Sequence, residues 1–145
     1  MYLLKNQSLQ IEILDPLTDR DKFGVRYCTG GYIYQISDSQ HGKLLSGPTY
    51  PESFNWFDGQ GIPDAFNWAP LRSPQTDDSE VLIIGIGICD LIAKQVKCFS
   101  DWQIAESSNE LSFTTEQSFD AYALQLTRTL SLNGRTLRSH TSITN

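Results

Sequence analysis

The sequence predicts an all-β protein, an antiparallel β-sandwich, in a single domain over residues 1–145. Short alternating apolar and polar segments recur between Asn, Asp, Gly and Pro punctuation, as half-buried strands require. No stretch carries apolar residues at helical spacing for three turns. The last 24 residues, "YALQLTRTLSLNGRTLRSHTSITN", read as one long β-hairpin.

In chain order, "SLQIEIL" alternates and stops at Asp15-Pro16. "FGVRY" and "GYIYQIS" read as two strands separated by Thr29-Gly30-Gly31. "EVLIIGIGIC" reads as a β-branched strand whose glycines permit close sheet packing or a bulge rather than phosphate binding. "VKCFSDWQI" and "LSFTTEQSF" complete the series before the hairpin. In the hairpin, Asn133-Gly134 is a strong type I′ signal, because both residues tolerate positive φ. That loop would set Leu132 opposite Arg135, Leu130 opposite Leu137, Arg128 opposite Ser139 and Leu126 opposite Thr141. Leu124, Leu126, Leu130 and Leu132 then share the inner face with Arg128, and a one-residue slip would reverse every side chain.

Composition excludes several classes of partner. With 11 Lys plus Arg against 17 Asp plus Glu, the formal charge is -6 and no basic patch is visible. Nucleic acid and anionic membranes are therefore not expected as partners. The N-terminus "MYLLKNQSLQIEILDP" shows no basic leader, long apolar run or small-residue cleavage site, which predicts no secretion signal. Cys28, Cys89 and Cys98 are an odd number without a CxxC, so a reducing, cytoplasmic setting is expected. His41 and His140 are far apart in sequence, and no ligand-spaced Cys/His cluster accompanies them, so no metal or other cofactor is expected. His41 reads as a solvated turn residue and His140 as a residue of the hairpin's polar face, opposite Thr127 in the register given above.

One segment, "SGPTYPESFNWFDGQGIPDAFNWAPLRSPQTDD", breaks the two-residue period. It holds five of the six prolines and two of the three tryptophans, and loops of this length in compact domains tend to be functional. Aromatic rings stack on the C–H faces of sugars while carboxylates and amides meet the hydroxyls. Glu52, Trp56, Asp64 and Trp68 are the candidate sugar contacts here, set against the alternative that the aromatics plug one end of the sandwich. Arg128 stands at a leucine position on the inner hairpin face, so its guanidinium must be paired, reach out of the face or enter a ligand cleft. It and Arg26 are the further candidates.

The order "RYCTGGYIYQIS", a Pro/Phe/Gly-rich excursion, "IIGIGIC", "FSDWQIAESSNELSFTTEQ" and "YALQLTRTLSLNGRTLRSHTSITN" resembles the first half of galactose mutarotase-like proteins, the aldose 1-epimerase superfamily. The resemblance implies part of a large antiparallel supersandwich, with this chain as its N-terminal portion. It also implies carbohydrate binding. The family's acid-base pair, a histidine at the ring oxygen and a carboxylate at the anomeric hydroxyl, comes from positions not matched here, and "GQGIPDAFNW" holds no His where the family's earlier one would fall. The expectation is a sugar-binding, mutarotase-like protein that is inactive as this chain, with no catalytic residue assigned. The other reading is a non-catalytic interaction module that forms homo-oligomers through the terminal hairpin.

Overall fold

The computed structural model describes residues 1–46, 70–75 and 79–145. Strands dominate, in three antiparallel sheets, and the all-β, sandwich-like class holds. The first sheet has the order β1-β2-β3-β4, from Tyr2–Lys5, Leu9–Ile13, Ile33–Asp38 and Gly42–Lys43. The second runs β5-β6-β7-β8, from Leu71–Arg72, Glu80–Ile83, Gly87–Asp90 and Gln95–Phe99. The third has the order β12-β11-β10-β9, where β9 is Gln103–Glu106, β10 Glu110–Phe119, β11 Tyr122–Asn133 and β12 Thr136–Thr144.

Alternation decides what each strand buries. In β2 the residues Leu9, Ile11 and Ile13 point inward, and in β10 Leu111 and Phe113 do so. In β11 every even position from Leu124 to Leu132 is buried, Arg128 included. These residues meet Leu4, Ile33, Leu82, Ile84 and Trp102 in one core drawn from all three sheets. Complete burial of a Leu, Ile or Phe side chain contributes about 1.5–3 kcal/mol, so this core is the main stabilising element.

Turns close on Asx chemistry. Asn6 Oδ1 accepts from the Ser8 and Leu9 N–H groups, Asp38 Oδ1 from Gln40 and His41, and Asp90 Oδ1 from Ile92 and Ala93. A short side-chain acceptor two or three residues upstream replaces the backbone partner that a chain reversal removes. Asp15 does the same for Leu17 and Thr18 where β2 ends.

Three segments depart from expectation, and the terminal hairpin does so in its register. "FGVRY" is not a strand: Arg20–Phe23 forms a short helix α1, and Val25–Tyr27 a 3₁₀ turn after Gly24 at φ 83°. Phe23 ends α1 and Tyr27 ends the 3₁₀ turn, and both are buried with Leu14, Cys28 and Tyr32 in a second cluster. "EVLIIGIGIC" is a hairpin, β6 and β7, turning at Ile84–Ile86 with Gly85 at φ 84°. "VKCFSDWQI" divides into β8 and β9, which belong to different sheets. The glycine reading of that region holds: at Gly87 a Cβ would lie 2.0 Å from the Cys98 carbonyl oxygen, beside a register shift at Ile88/Cys89.

The terminal hairpin keeps its faces and changes its register. Asn133 pairs with Thr136, Leu132 with Leu137, Leu130 with Ser139, Arg128 with Thr141 and Leu126 with Ile143. The two-residue loop is therefore Gly134-Arg135. Only Gly134 has positive φ there, at 56°, and Gly at the first central position is the type II′ pattern rather than I′. Moving the loop by one residue shifts each partner by two, which leaves inward residues inward.

Candidate functional site

Glu52, Trp56, Asp64 and Trp68 lie outside the described residues. Arg26 is half-buried; its guanidinium donates to the Tyr27 hydroxyl and lies 4.4 Å from the centre of the Tyr27 ring. Arg128 is 1% exposed. Its Nη1 donates to the carbonyl oxygens of Thr29 and, at 2.7 Å, Gly30, with the Thr29 hydroxyl at 3.3 Å. Both arginines thus act on one segment, 26–31: Arg26 through an aromatic ring and Arg128 through backbone carbonyls. Of the three fates open to a charge at a leucine position, Arg128 takes the paired one, with peptide oxygens as partners.

Gly30 and Gly31 make that approach feasible. At Gly30 (φ 75°) a Cβ would fall 2.4 Å from the Trp102 ring, so the indole rests directly on glycine backbone. Trp102 also meets Phe113, edge to face at 6.4 Å. Trp102 sits in the link between β8 and β9, and that link has its own tether. Gln117 donates to Ser100 Oγ at 2.6 Å and accepts from the Gly85 N–H at 2.9 Å, a buried amide joining three elements.

Beside this tether lies the candidate site. Pairing of β9 with β10 ends at Gln103–Thr114, and beyond Thr114 no described strand pairs with β10 on its β9 side. The result is a cleft of about 290 Å³ lined by Asp101, Trp102, Gln103, Thr114, Thr115, Glu116 and Gln125. Glu116 also borders two adjoining hollows, one of about 330 Å³ reaching Thr144 and one of about 160 Å³ reaching Phe99. The Gln125 amide donates to Glu116 Oε1 at 3.1 Å, which fixes the carboxylate over the cleft. Thr115 is 2% exposed, and its hydroxyl has no hydrogen-bond partner among the described residues. A buried, unmatched hydroxyl costs about 1–3 kcal/mol, so its retention here needs a reason.

Chemically the cleft offers two carboxylate acceptors, two amides that donate and accept, and the Thr114 hydroxyl. Such a set satisfies hydroxyl groups and carries no cation to select an anion. Neither histidine belongs to it. His41 is exposed in the turn capped by Asp38, and His140 is exposed on β12 opposite Thr129 rather than the expected Thr127. Among the described residues no group of three or more His, Cys, Asp or Glu could hold a metal ion, and no helix is long and apolar enough to cross a membrane. The cysteines are free; burial pushes the Cys28 thiol up to about 12 and raises that of Cys89, which makes both poor nucleophiles.

Asp101, Gln103, Glu116 and Gln125 were not legible as a site in the sequence. They come from a strand break and from the outer face of an ordinary hairpin, and only the register of β10 with β11 places Glu116 opposite Gln125. Compared with protein families, curated proteins and solved structures, this chain matches none.

Proposed function

We propose that this chain is a carbohydrate-binding β-sandwich of the galactose mutarotase-like kind, which holds a neutral aldose in the cleft between Asp101 and Glu116. The observation that carries the reading is the lining of that cleft, where the Gln125 amide donates to the Glu116 carboxylate and Asp101 and Gln103 add an acceptor and a second amide. A volume of about 290 Å³ matches a small polar ligand rather than a polymer or a large cofactor. The all-β architecture supports the same reading. So does the stem of the aromatic segment, where the buried Gln35 amide both donates to and accepts from the Leu45 backbone, at 2.7 and 2.9 Å. From that stem the sequence continues into Glu52, Trp56, Asp64 and Trp68, the stacking and acceptor residues expected to add to a sugar site.

Binding without turnover is the function proposed. Ring opening requires an acid and a base on opposite sides of one sugar, and the described cleft supplies carboxylates without the imidazole of the epimerase pair. The test is titration with glucose and galactose, followed by chemical-shift changes of the Gln103 and Gln125 side-chain amides, together with polarimetry of freshly dissolved sugar. Saturable shifts at millimolar sugar, lost in Glu116→Ala, with no acceleration of mutarotation, are expected. Absence of any shift up to molar sugar, with the fold intact, refutes binding. Accelerated mutarotation refutes the non-catalytic part.

A further inference from the structure

We infer that the third sheet carries, at the tip of its terminal hairpin, a binding site for a small zwitterion of the amino-acid class, whose carboxylate meets Arg138 and whose ammonium meets Glu110. The site is a hollow of about 490 Å³, larger than the cleft at Asp101 and Glu116. Glu110, Ser131 and Arg138 form its floor and flanks, with Asn109, Asn133 and Thr136 toward the tip. It is separate from the sugar cleft. Glu110 and Glu116 share the outer face of β10 but stand six residues apart, about 20 Å along the strand.

Strand register assigns the charges of the ligand. Ser131 pairs with Glu110 on one side and with Arg138 on the other, so the three lie in one row across β10, β11 and β12. Neighbouring strands are about 4.8 Å apart, which sets the acidic and basic stems about 10 Å apart with only a short hydroxyl side chain between them. Among the described residues, neither the Glu110 carboxylate nor the Arg138 guanidinium takes part in an ion pair or a side-chain hydrogen bond. A guanidinium grips a carboxylate through parallel N–H donors, and a carboxylate accepts from an ammonium group. An anion alone would be repelled by Glu110 and a cation alone by Arg138, whereas a molecule with both charges satisfies both ends. The Asn109 and Asn133 amides and the Thr136 hydroxyl add uncharged donors and acceptors. The backbone beneath is already fixed. The Ser107 N–H donates to the Glu110 carbonyl at 2.9 Å, the Leu132 N–H to the Asn109 carbonyl at 2.8 Å, and the Asn6 amide to the Gly134 carbonyl at 2.7 Å.

The experiment is titration of the full chain with L-alanine and with glycylglycine, followed by chemical-shift changes of the Asn109 and Asn133 side-chain amides. Propionate and propylamine serve as controls that carry one charge each. At least one zwitterion should bind saturably at about 1–10 mM, and about fivefold or more tighter than either control. The tighter of the two tells whether the site takes an amino acid or a dipeptide. Glu110 and Arg138 are both exposed, so Glu110→Gln and Arg138→Gln should keep the fold, and each should weaken zwitterion binding about tenfold. Absence of a saturable shift up to about 100 mM zwitterion, with the fold intact, overturns the proposal. So does binding of propionate or propylamine as tight as that of the zwitterions, or binding indifferent to either substitution.

Discussion

Arg135, at the tip of the terminal hairpin, donates to Oδ2 of Asp38, whose side chain is fully buried at the end of β3. The pair joins the third sheet to the first across 97 residues of sequence, and Asn6 reinforces it by donating to the Gly134 carbonyl at 2.7 Å. The Gln40 N–H holds the Asp38 carboxyl below its ordinary range, and Arg135 and the His41 N–H add to this against the opposing effect of burial. A depressed carboxyl stabilises the fold above its unfolded value, about 3.9, and that contribution disappears as pH falls through the lower folded value. Urea unfolding between pH 7 and pH 2 should therefore show a steep loss below about pH 4, which Asp38→Asn makes shallower. Arg135→Met should reduce the slope less, because the backbone donors remain.

Arg128 supplies the second prediction. Arg128→Ala would leave the Thr29 and Gly30 carbonyls without their donor and open a cavity against Gly31, where an added Cβ would lie 3.4 Å from the Arg128 Cβ. The expected cost is about 3–5 kcal/mol in denaturant unfolding. Arg128→Met restores the volume and should recover part of that cost, leaving the part that belongs to the carbonyls.

The sequence carried the hairpin's faces almost completely, since alternation from Leu124 to Leu132 is enough to say which side is buried. It could not carry the register, because Asn133-Gly134 and Gly134-Arg135 are both acceptable loops and differ by a shift that preserves the faces. Phe23 and Tyr27 were misread for a related reason: alternation in "FGVRY" suits a strand, but Gly24 at φ 83° divides it between α1 and a 3₁₀ turn, and the five residues carry no signal of that break beyond the glycine itself. The cleft was least legible. Thr114 and Glu116 look like residues of any strand, and their exposure to a ligand depends on where β9 stops, a tertiary fact with no local signal.

Glycine substitutions provide the third prediction, graded by space. Gly30→Ala meets both a positive φ and the Trp102 ring and should cost at least about 3 kcal/mol, with a shifted Trp emission. Gly134→Ala has a positive φ and nothing within 4 Å, so about 1–2 kcal/mol is expected. Equal costs at the two positions would mean that Trp102 does not rest on the Gly30 backbone.

Thr115 supplies the last prediction. Its hydroxyl lies on the core face of β10, with Leu111 and Phe113. Replacing a buried hydroxyl that lacks a partner with the isosteric methyl of Val removes an unmet polar group, so Thr115→Val should leave stability unchanged or raise it by up to about 1 kcal/mol. Because the hydroxyl does not reach the cleft, the same change should leave sugar binding as it is, whereas Glu116→Ala on the opposite face removes it. Thermal unfolding and amide-shift titration of the two variants check this together. A Thr115→Val variant that is clearly less stable would show that the hydroxyl has a structural partner.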